Sequence, residues 1–425
     1  MAASGMRATV LWGAHPGSPA GFLTHPKHDL GETRNASRVT LPGFPTFSLR
    51  PTVATLLDMQ TTAAIADGQG AFTIEHIEVA SPLDGEVLVE MKAAGLCHTD
   101  HASLNWKRPL VMGHEGAGVV REVGADVTHV KVGDRVVLNW AIPCGHCFQC
   151  QRGHAVLCEA SKPAYVLERS AGHAHAVGTT WHGQPIDRSF NLGTLGGLAL
   201  VRAAAVTPLT VEIPFTSACL IGCGVMTGFG SAVNVAKVEC GSSVVVIGCG
   251  GVGLNVIQGA RLNGAATIIA VDLHAASLER AKQFGATHTL LAEKSDRELH
   301  SVVEQVKQLT GGRGADYAFE ATSVPHLAFV PLLMVRNGGS TFQVSGINAA
   351  VTVPMPWFMW NKTYVTPLYG DGVPARDFPK ILQHYARREL LLDELVTRTY
   401  RLEELGMAFE DMLAGRLAKG VIIFD

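Results

Sequence analysis

The chain has 425 residues, too many for one hydrophobic core, so more than one domain is expected. Apolar residues make up 47% and charged residues only 17%, which excludes general disorder, and a formal net charge of −3 leaves no basic surface for nucleic acid or an anionic membrane. No uninterrupted apolar run reaches about 18 residues, so no membrane-spanning helix is expected.

Residues 1–58 carry scattered proline, glycine, arginine and serine without a sustained period, and read as a disordered extension. They are poor in acids, as a transit peptide is, but fit equally well as sequence upstream of a start at Met59. From Met59 the pattern sharpens. Residues 61–65, 72–79 and 86–92 read as β-strands, with turns at Asp67-Gly68 and Asp84-Gly85. Residues 113–123 and 134–139 continue the β character, giving a first domain of short strands.

Nine cysteines occur, and four of them, Cys144, Cys147, Cys150 and Cys158, follow the spacing C-x2-C-x2-C-x7-C. An odd total with such crowding points to metal ligation in a reducing, cytoplasmic setting and not to a disulfide framework. Four thiolates this close can wrap one tetrahedral Zn²⁺ with no position open for water, so the site predicts a structural zinc that holds a lobe at 143–159. Cys219, Cys240 and Cys249 lack ligand-spaced partners and read as buried thiols. His173 and His175 read as loop residues, and the segment Gly193-Thr-Leu-Gly-Gly197 carries no interpretable signal.

Near Thr227 the texture changes to strand–helix alternation. Residues 243–247, 267–271, 316–320 and 340–344 are continuous apolar strands. Helical periods fall at 252–262, 275–284, 298–309 and 325–335. Such alternation predicts a parallel sheet covered on both faces. Between the first strand and helix lies Gly248-Cys-Gly250-Gly251-Val252-Gly253, a G-x-G-x-x-G turn in the context the motif requires. It predicts a dinucleotide pyrophosphate at the helix N-terminus. Asp272 ends the next strand and is placed for the adenosine ribose hydroxyls, which favours NAD over NADP. A tail with a helix at 377–388, a strand at 395–400, a helix at 402–413 and a strand at 420–424 is expected to return to the first domain.

A second metal site is suggested by Cys97-His98-Thr99-Asp100, Gly113-His114-Glu115 and Gly222-Cys223-Gly224. Three ligands drawn from Cys97, His114 and Cys223 would leave a fourth position open, as catalysis needs. Spacing does not unite them, because Cys223 is remote, and buried thiols with a surface histidine fit the spacing equally well.

Taken together, these segments resemble the zinc-dependent alcohol dehydrogenases of the medium-chain dehydrogenase/reductase superfamily, over residues 59–425. The resemblance implies an α/β fold: a GroES-like β-rich catalytic domain at 59–225 plus a Rossmann doubly wound parallel-sheet coenzyme domain at 226–368, with 369–425 returning to the catalytic domain. It implies two Zn²⁺ per subunit, NAD, a small alcohol or aldehyde as substrate, and a homodimer or homotetramer. It further implies that Cys97, His114 and Cys223 hold the catalytic zinc, with Glu115 as a carboxylate able to approach it. Asp100 then orients the histidine ligand, Thr99 takes the alcohol proton, and His98 and Lys419 lie near the coenzyme pyrophosphate. Thr227 and Val252 lie beside the nicotinamide. The expected reaction is oxidation of a primary aliphatic or aromatic alcohol by reversible hydride transfer. The alternatives of the same fold are a glutathione-linked formaldehyde dehydrogenase and a nicotinoprotein that retains NAD; a non-catalytic binding protein is the remoter one. One departure is Ala102, where relatives with a full proton relay often carry histidine; His101 is the neighbouring candidate.

Overall fold

The computed structural model describes residues 59–160 and 178–425. The extension at 1–58 and the pair His173 and His175 lie outside the described residues.

The N-terminal half is built of short strands. In chain order come β1 (Met59–Ala66), β2 (Phe72–Val79), β3 (Glu86–Gly95), the helix α1 (His98–Ser103), β4 (Leu110–Val111), β5 (Glu115–Val123) and β6 (Arg135–Leu138). The helix α2 (Phe148–Gln151) sits in the cysteine lobe. Then follow β7 (Thr179–Trp181), β8 (Gln184–Pro185), β9 (Asp187–Arg188), β10 (Leu198–Arg202), β11 (Val206–Pro208), α3 (Phe215–Ala218) and α4 (Gly224–Gly230). One sheet runs β8-β7-β2-β1-β4-β9. In a second, β3 pairs antiparallel with both β5 and β10, so Val87, Leu88, Val89 and Met91 are buried without alternation.

The third sheet is a different object. It comprises β12 (Ser243–Ile247), β13 (Thr267–Asp272), β14 (His288–Leu291), β15 (Ala315–Glu320), β16 (Val335–Gln343) and β17 (Thr363–Val365). These are all parallel, in the spatial order β14-β13-β12-β15-β16-β17. Counted from the first strand this is 3-2-1-4-5-6, the Rossmann order. The helices α5 (Gly251–Leu262), α6 (Ala275–Phe284), α7 (His300–Leu309) and α8 (Pro331–Met334) connect it. Successive side chains of β12 take opposite faces: Val244 and Val246 join the core with Val256 and Ile257 of α5, while Val245 and Ile247 join Val302, Val303 and Val306 of α7. After α9 (Pro374–Ala386) come β18 (Val396–Tyr400), α10 (Leu405–Leu413) and β19 (Lys419–Ile423). β19 pairs antiparallel with the end of β3, Val421 opposite Gly95, and this brings Lys419 to the site described below. Among the described residues no single helix is long and apolar enough to cross a membrane.

Two local expectations are corrected and one element is new. The helix read at 325–335 is a 3₁₀ turn at Pro325–Leu327 followed by the single turn of α8, because Pro331 offers no N–H to continue a helix from the preceding residues. α4 shows no sequence signal, being Gly-Val-Met-Thr-Gly-Phe-Gly; packing supplies what propensity lacks. Cys219 and Cys249 are buried, but Cys240 is exposed in the turn that precedes β12.

Candidate active site and metal centre

Cys97 leaves β3 in an extended conformation and is the N-cap of α1. Asp100, buried in the first turn, accepts a hydrogen bond from the Cys97 backbone N–H through Oδ2 (3.0 Å). Its Oδ1 lies 2.7 Å from Nδ1 of His114, which is also buried. One carboxylate thus fixes the helix start and the histidine ring, leaving Nε2 as the free ligand atom. Burial alone would push the His114 imidazole down; the Asp100 contact outweighs it and holds it well above its ordinary range.

The segment Gly193–Gly197 gains a meaning here. Thr194 N–H donates to Gly113 O (3.1 Å) and Leu195 N–H to Met112 O (2.9 Å), while Gly197 N–H reaches Thr62 O (3.0 Å). The segment stitches the strand before His114 to β1, and glycine is needed where a Cβ at Gly113 would meet Leu195 N at 2.4 Å.

Cys223, remote in sequence, is the N-cap of α4. The ligand atoms of Cys97, His114, Glu115 and Cys223 all lie within 4.8 Å of one another. Tetrahedral zinc with bonds of about 2.0–2.3 Å places its ligands about 3.3–3.8 Å apart, so this set can close on one ion. The two thiols are linked by a hydrogen bond that pushes Cys97 well down and Cys223 well up from the ordinary thiol range. Glu115 is fully buried: Oε1 accepts from Lys419 Nζ (2.7 Å), whereas Oε2 has no hydrogen-bond partner. Burial pushes this carboxyl up to about 7 against the pull of Lys419. An orphaned carboxylate oxygen beside two thiols and an imidazole fits a cation.

Lys419 spans two regions. Its ammonium is held by Glu115 and by Leu96 O (2.7 Å), while its stem crosses Gly251 at the start of α5. His98 is solvent-exposed in the first turn of α1, and Thr99 is half-buried beside it. The His101 ring packs edge-on against Phe409 of α10 at 5.5 Å.

The glycine turn meets its motif's steric demands. Gly248 takes φ +92°, and a Cβ on Gly253 would lie 1.8 Å from Gly248 O, so helix and strand touch only because both are glycine. Gly250 is exposed, and a Cβ there meets nothing within 4 Å; it faces an open cradle at the N-terminus of α5. Asp272 accepts from Cys249 N–H (2.8 Å) and His274 N–H (2.9 Å), which holds its carboxylate at the mouth of the same turn. Thr227 sits on α4, whose Gly228 packs against Val252 O so closely that a Cβ would clash at 2.2 Å. The metal group and the cofactor turn are therefore joined by α4.

The four-cysteine lobe is a second cluster, with all four sulfurs within 4.8 Å of one another. Backbone N–H groups of Cys144, Cys147 and Cys150 point at the sulfurs of Cys158, Cys144 and Cys147 at 3.2, 3.3 and 3.5 Å. The Cys150 N–H brings the Cys147 thiol down to about 6, while burial pushes Cys150 up to about 12. No other group of three or more ligating residues occurs among the described residues.

Aromatic rings wall the metal group on one side. Phe190 lies 4.7 Å from the His114 ring; Trp140 and Trp106 lie 5.4 and 5.9 Å from Phe190. Sequence reading missed these residues, because aromatics scattered over a β-rich domain carry no spacing signal.

The chain resembles known proteins over most of its length. Residues 83–215 match the family model described as alcohol dehydrogenase GroES-like domain, and residues 251–387 the one described as zinc-binding dehydrogenase. The chain is 35% identical over 381 residues to a putative alcohol dehydrogenase D of Mycobacterium tuberculosis, covering 86% of this chain and all of that one. It is 35% identical to an NDMA-dependent alcohol dehydrogenase of Amycolatopsis methanolica, covering 86% and 99%. Among solved structures, benzyl alcohol dehydrogenase from Acinetobacter calcoaceticus superposes with a TM-score of 0.77 at 28% identity, covering 86% and 100%.

Proposed function

We infer the reaction from one premise: the chain belongs to the zinc-dependent alcohol dehydrogenases of the medium-chain dehydrogenase/reductase superfamily, and is an oxidoreductase acting on a small molecule with zinc and an NAD-type cofactor. Within it, we assign the oxidation of a primary alcohol to the aldehyde, with an aromatic alcohol favoured over an aliphatic one. The observation that carries the assignment is the convergence of Cys97, His114 and Cys223 beside the aromatic wall and one short helix away from the glycine turn.

Cys97, His114 and Cys223 would hold the catalytic zinc, which supplies Lewis-acid polarisation of the alcohol oxygen when bound. Asp100 keeps His114 in the tautomer that presents Nε2. Thr99 receives the hydroxyl proton of the alcohol, with His101 the candidate to carry it outward, and His98 and Lys419 serve the coenzyme pyrophosphate. Glu115, whose Oε2 has no hydrogen-bond partner, is the carboxylate free to approach during exchange of ligands. Gly248, Gly250, Gly251, Val252 and Gly253 cradle the pyrophosphate of NAD, Asp272 accepts its adenosine ribose hydroxyls, and Thr227 and Val252 border the ring that accepts hydride. Phe190, Trp140 and Trp106 exclude water around the reacting carbon. A second, structural zinc in the cysteine lobe is proposed on its donor set. A homodimer or homotetramer is supported by the edge strand β17 and its exposed neighbours Met355, Met359 and Trp360. The cytoplasm is supported by nine unpaired cysteines.

The test is NADH formation at 340 nm across benzyl, cinnamyl, hexyl and secondary alcohols, with zinc counted per subunit. Benzyl alcohols with the highest kcat/KM and two zinc ions are expected; no turnover of any primary alcohol would overturn the assignment. Adding glutathione and formaldehyde to the panel tests the glutathione-linked alternative. Similarity to the NDMA-dependent relative favours one second reading, in which NAD stays bound; NAD that survives gel filtration, with turnover only when an external acceptor is added, would establish it. Cys147→Ser is expected to lower zinc to one per subunit and the thermal midpoint by several degrees, since a structural zinc contributes folding free energy directly; calorimetry with metal analysis checks both.

A further inference from the structure

The turn after β17 is unusual. Tyr369, Gly370 and Asp371 all have positive φ (+55°, +61° and +50°), two of them carrying side chains. Non-glycine residues hold this conformation only where the surroundings impose it. The turn docks on α4: a Cβ at Gly370 would lie 2.7 Å from Gly230, and Gly370 O accepts from Asn234 Nδ2 (3.2 Å). Docked this way, Tyr369 is fully buried, its ring packs tilted against Trp140 at 4.4 Å, and its hydroxyl donates to Gly222 O at 2.6 Å.

Gly222 is the residue before Cys223. Cys223 itself has φ −144° and ψ −76°, a sparsely populated combination, and its backbone N–H reaches only Leu220 O at 3.5 Å. Gly222 is wedged as well, since a Cβ there would meet Leu138 O at 2.4 Å. A peptide unit is planar, so a bond to Gly222 O fixes the plane that carries Cys223 N and Cα, the frame from which the Cys223 side chain departs at φ −144°.

We propose that Tyr369 is a positioning residue for the ligand Cys223: its hydroxyl, 147 residues away in sequence, locks the Gly222–Cys223 peptide and aims the thiolate at the metal. The inference rests on the reading in which Cys223 holds zinc. Its geometry also links the turn after β17, which borders the cofactor sheet, to the metal group through one hydrogen bond.

Tyr369→Phe tests it, because the ring and its contact with Trp140 remain while the donor is lost. Two readouts are taken besides activity: release of zinc to a coloured chelator, and the thiolate-to-cobalt absorption bands of the cobalt(II)-loaded protein. Release from the Cys97–His114–Cys223 site is expected to be about tenfold faster, in line with other losses of a group that orients a ligand. The cobalt bands should shift, with NADH affinity within about twofold of the parent and the thermal midpoint within a few degrees. Unchanged release and unchanged bands would overturn the proposal, and so would faster release accompanied by a collapsed midpoint. Parent protein that shows no thiolate–cobalt bands at all would instead sink the metal reading on which the proposal stands.

Discussion

Cys97→Ala and His114→Ala are each expected to reduce alcohol turnover by roughly 10³–10⁴-fold while leaving NADH affinity within about twofold of the parent. A Lewis acid contributes several kcal/mol of charge stabilisation, and each ~1.36 kcal/mol is a factor of ten in rate. The ligands sit at the end of β3, the start of β5 and the N-cap of α4, whereas the dinucleotide turn lies between β12 and α5, so the two losses are separable. Stopped-flow turnover and fluorescence titration with NADH check the two halves. Full activity in either variant would overturn the ligand assignment. His114→Ala is the more demanding case, because it also strands Asp100: Oδ1 loses the imidazole 2.7 Å away in a fully buried setting. A fall in thermal midpoint is therefore expected for His114→Ala and only a smaller one for Cys97→Ala.

Much of this site is legible in the amino-acid sequence, and the reason differs from residue to residue. The cysteine lobe is written within fifteen residues, so local spacing alone brings its sulfurs together. The glycine turn is likewise local: Gly248 and Gly253 are dictated by φ and by a steric gap that only glycine leaves. Cys223 is another matter. It reaches Cys97 because the 3₁₀ turn Cys219–Gly222 packs against β5 and β6, and no periodicity encodes that; the resemblance to a family supplied it. The Lys419–Glu115 pair spans 304 residues and depends on β19 pairing with β3. The resemblance implies a place for Lys419 near the cofactor; its stem lies against Gly251, and where its ammonium turns is decided by the buried, otherwise uncompensated Glu115. Tyr369 and Gly193–Gly197 are illegible for a related reason: each acts by hydrogen bonds to the backbone of distant segments, and backbone acceptors leave no mark in a sequence.

The second large effect is expected from Gly250→Asp, which separates the fold of the cofactor turn from its function. Gly250 is the N-cap of α5 with φ −77° and ψ −171°, an extended conformation open to any residue. Its Cβ position is empty out to 4 Å, so a Cβ there meets no protein atom. Aspartate is moreover among the preferred N-cap residues, and its charge suits the positive end of the helix. The thermal midpoint should therefore hold or rise slightly. The same carboxylate occupies the cradle where the pyrophosphate must lie. Like charges about 4 Å apart near a protein surface repel by about 4 kcal/mol, which is roughly a thousandfold in affinity. NADH binding should fall by that order, measured by fluorescence titration, with zinc content unchanged. Gly253→Ala makes the contrast: its Cβ would lie 1.8 Å from Gly248 O, so there affinity and stability should fall together. Retained NADH affinity in Gly250→Asp would mean that the pyrophosphate does not use the start of α5, and the assignment of this turn would have to be given up.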